Sequence, residues 1–567
     1  MALSSPFQGL YPELMEQIFA HTTPLLAFNQ LQRLRTVCRA FEGALAPEFF
    51  ATFQLVIDKD GVLVTREDML EAIARGETGW ARHARTLRVV VNNTGKYGAS
   101  KVNTRLLESA LRALPATQSA SFRFTTLTLP SPIFSVILSH LAMTPEFVSL
   151  HAMLNCSSNI RWRPFTALLG TALLGYVPWP HFPGLKTLSL ECNEISDNAG
   201  MLDLCDALKR AGSTGRLTAL SVHAPAFTKS AIPSKVLSLS VLLGLLQPVG
   251  LQHLTVNPAL FNTLSADSAG LPKLASLSQL TIRGLYPSGL HDPTMNDGAW
   301  MALAKAGARI KRLRVPGIDD GLAKYLTTYS GLEFIAVASA FDAGLGLRWS
   351  DAHNVHDPEL EQQKMQRRAA DVLRVEMLYD AFVGHAESLR VLSLPAPYAG
   401  CWTFRSPVAK AIGMLRELRL LVMSVDIEAI PDAIWPQPEH RVVIDADGVN
   451  AVECFVDTIT RLPHLTHAAL LKTLAPELRF ARCGNPIDNH QNRAQKAIAT
   501  AFAELKPMPV SPSQARNVGT SSPIVYSVSK LYFARFVEGK GKWEVLQSLP
   551  HTGGWSHDDG LPAFARV

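Results

Sequence analysis

The residue types able to do chemistry are spread thinly along this 567-residue chain. Two histidine pairs, His353-x-x-His356 and His464-x-x-His467, have the i, i+3 spacing with which one helix face presents two metal ligands. Seventeen histidines make such pairs expected by chance, so no metal is assigned to them. Asp445-Ala446-Asp447-Gly448 opens like a calcium loop but lacks the later ligands and reads as a turn. Seven cysteines lie between Cys38 and Cys483 without a CxxC pair, which speaks against a zinc ribbon or a disulfide framework and suits a reducing compartment. The signatures GxSxG, HExxH, GxxxxGK(S/T) and GxGxxG are absent, so no catalytic residue, metal or cofactor is expected. A different group stands out: His223, His253, Arg283, Arg312 and Arg314 occupy similar places in a series of short apolar–polar runs. Arginine forks match phosphate and carboxylate groups, so together these residues would suit an acidic or phosphorylated segment of a protein partner. A solvated strand face with charges placed by chance is the plain alternative.

Those runs define the elements that must hold the cations. Leu185-Lys186-Thr187-Leu188-Ser189-Leu190-Glu191-Cys192-Asn193 matches LxxLxLxxN, and Leu217–Val222, Leu251–Val256, Leu277–Ile282, Ile310–Val315, Leu332–Val337, Leu389–Leu394 and Leu415–Leu420 follow the same scheme. This resembles the leucine-rich-repeat family, in which each repeat places one short strand on a shared sheet. Alternation puts two apolar residues inward and the intervening residues on an open face. There the five cations would form a strip across neighbouring strands, with Glu417 and Arg419 on the last. The central apolar residues, Leu188, Leu220, Leu254, Leu280, Leu313, Ile335, Leu392 and Leu418, are unevenly spaced. The 57-residue step from Ile335 to Leu392 reads as two repeats with a missed strand or as an insertion. Helical patterns at Asn198–Arg210, Ala299–Ala308 and Leu360–Phe382 alternate with the strands. A doubly wound α/β fold also alternates, but its strands are continuous apolar runs followed by glycine loops. Leu87-Arg88-Val89 and Phe122-Arg123-Phe124 are possible earlier strands, and Leu531–Val537 with Lys542–Leu546 reads as a hairpin around Glu538-Gly539-Lys540-Gly541 that covers a sheet edge.

The first fifty residues differ. Pro12 and Glu13 suit a helix start, Leu14, Ile18 and Phe19 share a face, and Leu31, Leu34, Val37, Cys38 and Phe41 form a second apolar stripe. Leu10-Tyr11-Pro12-Glu13-Leu14, Ile18-Phe19 and Val37-Cys38-Arg39-Ala40-Phe41, in that order, resemble the F-box, with Tyr11 where that family most often has proline. The resemblance implies a three-helix module that docks a Skp-type adaptor, and through it a cullin, with Leu10, Pro12, Leu14, Ile18, Val37, Cys38 and Phe41 forming its core and adaptor-facing surface. The chain as a whole is then similar to fungal-type F-box proteins with degenerate leucine-rich repeats.

Composition agrees with a packed protein: 47% hydrophobic and 18% charged residues exclude global disorder. A net charge of +6 is too small to suggest a nucleic-acid binder, and no stretch is long and apolar enough to suggest a membrane span. The expected architecture is an α/β repeat: a helical module at 1–50, a transition with degenerate early repeats at 51–180, an irregular leucine-rich-repeat solenoid or horseshoe at 181–475 with a charged helical insertion at 350–385, and a cap at 476–567. The expected role is a non-catalytic substrate-recognition adaptor of an SCF-type ubiquitin ligase, cytoplasmic or nuclear. A repeat scaffold without a ligase role, in which the first helices only cap the solenoid, is the alternative, and a hydrolase or transferase on an α/β core is a remoter one.

Overall fold

The computed structural model describes residues 28–35, 37, 39–58, 65, 67–92, 103–114, 117–124, 131–154, 182, 184–192, 216–223, 238–246, 250–283, 297–338, 358–396, 400–425, 430, 450–473, 487–504, 524–527, 532–537 and 542–547. The chain divides into two compact units, Met1–Leu260 with Ser268–Lys273, and Phe261–Asp267 with Leu274–Val567.

The first unit begins, within the described residues, with helices α1 (Phe28–Arg35) and α2 (Arg39–Phe49), which pack together around Leu34, Phe41, Ala44 and Leu45. A turn at Val37, whose N–H reaches the Leu34 carbonyl, interrupts the apolar stripe. Phe41 is consequently core, while Val37 is 59% exposed. Strands β1 (Thr52–Asp58), β2 (Thr86–Asn92), β3 (Ser119–Phe124), β4 (Ser149–Leu154), β5 (Thr187–Cys192), β6 (Ala219–His223) and β7 (His253–Val256) follow, each parallel to the next. The register is unbroken. Phe53, Leu87, Ala120, Leu150, Leu188, Leu220 and Leu254 share one buried row, and Leu55, Val89, Phe122, Ala152, Leu190, Val222 and Val256 share the next. The ladder extends past the strand starts, where Gln118, Val148, Lys186, Thr218 and Gln252 each donate an N–H to the preceding repeat.

Helices α3 (Glu67–Ala74), α4 (Gly79–His83), α5 (Thr104–Arg112), α6 (Ser131–Met143) and α7 (Leu239–Leu245) lie between strands. Their ends are satisfied locally. Asn103 Oδ1 accepts from the N–H groups of Arg105 and Leu106 at 3.1 and 3.2 Å, starting α5. At the far end of α7, Lys273 Nζ donates to the carbonyls of Leu243 (2.7 Å), Gly244 (3.2 Å) and Leu246, a cation placed where helix carbonyls are unpaired.

The second unit repeats the scheme: β8 (Gln279–Ile282), α8 (Asp297–Lys305), β9 (Arg312–Val315), α9 (Asp320–Leu326), β10 (Phe334–Val337), α10 (Pro358–Val383), β11 (Val391–Leu394), α11 (Ser406–Gly413), β12 (Leu420–Ser424), α12 (Ala451–Thr460), β13 (His467–Leu471), α13 (Ile487–Glu504), β14 (Ile524–Ser527), β15 (Tyr532–Val537) and β16 (Lys542–Gln547). Strands β8 to β14 are parallel, and β14, β15 and β16 pair antiparallel. The hairpin read from the sequence is β15–β16, and β14 stands between it and β13.

One open alternative closes here and two expectations change. Ile335 pairs directly with Leu392, so no further strand stands between these two in the sheet. The 57-residue step is an insertion that carries the long helix α10. Arg374 ties this helix down, meeting Asp320 on α9 at 2.6 Å and the buried Asp371 at 2.5 Å. The strand assigned to Leu415–Leu420 begins instead at Leu420, and Leu421, not Leu418, lies opposite Leu392. The run Leu415–Ser424 holds two overlapping LxxLxφ frames (φ, any apolar residue), and the more β-prone Leu420-Leu421-Val422-Met423 takes the sheet. Finally, the single open face does not extend through this unit: every residue of β10 and β12 is buried, as are Ala468–Leu470 of β13. Phe334, Ala336, Leu420, Val422 and Ala469 form a second apolar cluster on the side opposite Ile335 and Leu421.

Buried polar groups join α8, α9 and α10. Asp319 caps α9, accepting from Leu322 N–H at 2.7 Å and Trp300 Nε1 at 3.2 Å. The two helices approach so closely that a Cβ on Gly321 would lie 2.7 Å from Trp300 Cδ1. Burial pushes the Asp319 carboxyl up to about 6, against the hydrogen bonds that lower it. A carboxyl raised in the folded state contributes stability below its unfolded value of 3.8 and loses it as pH rises through about 6. Between pH 4.5 and 7.5, urea unfolding of the wild type should therefore lose ~2 kcal/mol relative to Asp319→Asn, which keeps an acceptor for Leu322 but does not titrate.

Candidate functional site

In the first unit the residues between the buried rows face outward as small polar side chains. One row runs Thr52, Thr86, Ser119, Ser149, Thr187, Ala219, His253, and the next Gln54, Arg88, Ser121, His151, Ser189, Ser221, Thr255. Thr86 and Ser119 hydroxyls bond at 2.8 Å across the strands. A third row places Arg123 beside Val90 and Met153, then Glu191 beside His223. Arg88 and Arg123 are both exposed on adjacent strands, two residues apart in height, hence about 8 Å between Cα atoms. Neither has an ion-pair partner among the described residues, and His151 lies opposite Ser121 next to them. The result is a cationic patch on a hydroxyl-rich sheet face. A search for outward cations that began at Leu185 missed it, although Leu87-Arg88-Val89 and Phe122-Arg123-Phe124 show it as plainly as the later repeats do.

The five residues selected from the sequence divide between the two units. His223 and His253 belong to the first unit and Arg283, Arg312 and Arg314 to the second. His253 pairs with Ala219, four residues before His223 on β6, so the two imidazoles stand at opposite strand ends, about 13 Å apart along the strand. His223 instead lies opposite the Glu191 carboxylate. In the second unit Arg312 and Arg314 do stand together, opposite Gln279 and Thr281, with Arg283 exposed just past the end of β8. Both guanidiniums lie over the buried Phe334 ring, at 5.0 and 5.2 Å from its centroid. This places two cations on the rim of the apolar cluster, with the ring's electron-rich face between them.

Of the F-box-like residues, Leu10, Pro12, Leu14, Ile18 and Cys38 lie outside the described residues. His353, His356, Asp445 and Asp447 also fall outside them. His464 follows α12 in a turn, 3.9 Å from Glu417, and His467 opens β13, where burial lowers its pKa and Nδ1 meets Thr466 Oγ1 at 2.9 Å, so this pair does not share a helix face. Among the described residues no cluster of three His, Cys, Asp or Glu side chains is arranged to hold a metal, and no helix is long and apolar enough to cross a membrane.

These features define a solenoid-like α/β repeat protein in which each repeat supplies one parallel strand. No family model matches the chain, and no curated protein matches it. Among the solved structures that are weakly similar to it are two complexes. One is the crystal structure of the Rad7 and Elc1 complex in yeast, with 11% identity, a TM-score of 0.34 and coverage of 84% of this chain and 92% of that one. The other is the TLR13–ssRNA13 complex, with 13% identity, a TM-score of 0.30 and coverage of 74% and 48%. At these scores neither likeness bears on activity or partner.

If the arginines are held by the ring, removing it should uncouple them from the sheet. A double-mutant cycle of Phe334→Leu and Arg312→Met should give a coupling of about 0.5–1 kcal/mol by urea unfolding, and additive effects would show that the stacking contributes nothing.

Proposed function

We propose that the protein is a non-catalytic substrate receptor of a cullin–RING ubiquitin ligase, built on leucine-rich repeats behind an F-box-like module. The module would dock a Skp-type adaptor through Leu10, Pro12, Leu14, Ile18, Val37, Cys38 and Phe41. The repeats would hold a protein substrate and raise its effective concentration near the ubiquitin-charged enzyme. The repeat assignment is supported by the inward residues, an apolar pair two positions apart that recurs at the heights of Leu188 and Leu190 on every parallel strand of the first unit. Support for substrate capture comes from one observation above the others, the exposed Arg88–Arg123 patch with hydroxyls around it. Guanidinium forks with no ion-pair partner among the described residues favour a phosphorylated or acidic segment, and Ser and Thr side chains add donors without blocking approach. The ligase part is supported by the order of sequence motifs between Leu10 and Phe41.

The two halves of the proposal separate experimentally. Purified Skp-type adaptor should be captured by the intact chain and lost on Pro12→Ala with Leu14→Ala. Failure of the intact chain to bind adaptor would leave a repeat scaffold without a ligase role. Arg88→Glu with Arg123→Glu should leave thermal unfolding and adaptor capture unchanged but reduce binding of a phosphorylated substrate peptide at least ten-fold. Unchanged peptide binding would remove this patch as the recognition surface, and Arg312→Glu with Arg314→Glu is the matching test of the second cationic pair.

A further inference from the structure

The open face of the first unit carries its charges in a fixed order. Its third outward row runs Val56, Val90, Arg123, Met153, Glu191, His223 from β1 to β6. Beside it, from β2 to β5, lie Arg88, Ser121, His151 and Ser189. Strand alternation sets all of these on one face, because Val89, Phe122, Ala152 and Leu190 between them are buried on the other. Arg88 and Arg123 are exposed, and Met153 and Glu191 are half-buried. Among the described residues of the three outward rows, Glu191 is the one carboxylate.

One strand, β4, separates Arg123 on β3 from Glu191 on β5, and both residues pair with Met153. Neighbouring strands are about 4.8 Å apart, so the Arg123 and Glu191 Cα atoms are about 10 Å apart at one height. The face therefore has a cationic end at Arg88 and Arg123 and an acidic end at Glu191, with the Met153 side chain between them. A ligand carrying only negative charge is drawn to the first end and repelled by the second. A ligand with an anion and a cation about 10 Å apart is attracted by both. Short peptides meet that spacing. A polyproline II segment returns every third side chain to the same face, about 9 Å further on. A fully extended segment offers the side chain two residues on, about 7 Å away, and a lysine or arginine stem covers the remainder.

We infer that the first unit selects a phosphorylated segment with a lysine or arginine two or three residues from the phosphorylated side chain. The phosphate lies on Arg88 and Arg123, and the basic residue meets Glu191. This rests on the capture reading above and narrows it, since of a phosphorylated and a purely acidic segment the face fits the first. One phosphate brings nearly two negative charges to the guanidiniums on a single residue and leaves its neighbours free to be basic. A run of carboxylates extends like charge toward Glu191. Met153 gives the intervening residues an adaptable apolar contact.

The full-length protein should be immobilised and offered a peptide library with one fixed phosphoserine and randomised residues on either side. Working at pH 8 keeps imidazoles from competing as cations for the carboxylate. Captured peptides should carry Lys or Arg about three-fold above the input at two or three residues from the phosphoserine, the gain expected of one surface ion pair. Glu191→Lys should turn that preference into one for Asp or Glu, and Glu191→Gln should flatten it. Capture of phosphopeptides without a basic preference would overturn this inference and leave the capture reading standing. So would a preference that a folded Glu191→Gln variant keeps, and this variant decides if Glu191→Lys fails to fold. Capture no greater than that of the same library without phosphate would overturn the capture reading as well.

Discussion

The constraint on which this protein depends is the parallel register. A strand one residue out of step with its neighbours would turn its buried pair toward the open face and its polar residues into the core, so each repeat must return at the same height. That requirement fixes very little else. In the second unit the chain returns to register after steps ranging from 22 residues, Leu313 to Ile335, to 57 residues, Ile335 to Leu392. Between strands the chain is free to form a short helix, as at α9, or a 26-residue one, as at α10. The irregular period is therefore compatible with an unbroken ladder within each unit, because the hydrogen bonds that carry the ladder join adjacent strands and make no demand on the length of the segments between them.

This division explains which parts of the fold were legible. Strands with Leu at the inward positions, such as Leu188–Leu190 and Leu220–Val222, stand out because the repeat scheme is written in leucine. Strand β1 uses Phe53 and Leu55, β4 uses Leu150 and Ala152, and β13 uses Ala468 and Leu470 at the same heights, and these escaped a search keyed to leucine. Alanine works there because the facing residues are larger, a property of the neighbours rather than of the strand. The misplaced frame at Leu415–Leu420 has a related cause. Leu415 and Leu418 are both fully buried, as the pattern demands, but they pack before the strand rather than in it. Burial was readable from the sequence and the start of the hydrogen-bonded ladder was not. The continuous apolar runs Phe334–Val337 and Leu420–Met423 did carry their own signal, since a strand buried on both faces has no polar alternation to show.

The candidate sites were less legible than the fold, because a charge on a strand acquires meaning only from the residue at the same height next door. His223 looks like part of a cationic strip until register sets it opposite Glu191. Arg88 and Arg123 look like isolated charges until register sets them on adjacent strands, Arg88 between Gln54 and Ser121 and Arg123 between Val90 and Met153.

The two arginine pairs show how the same residue type does different work on the two kinds of sheet face. Arg88 rises between Gln54 and Ser121, and Arg123 between the half-buried Val90 and Met153, on a face where no buried apolar cluster lies beneath the two guanidiniums. Arg312 and Arg314 lie over Phe334, at the edge of the buried cluster with Ala336, Leu420, Val422 and Ala469. Their stems and planar heads shield an aromatic ring that would otherwise end the cluster against water, as long cationic side chains do at apolar borders. Loss of charge at the first pair is an electrostatic change with the fold intact. At the second it also uncovers packed apolar surface, so an effect on partner binding there is interpretable only beside a measurement of stability. The effect of charge can therefore be separated from that of packing in the first unit, where the two are carried by opposite faces of the same strands.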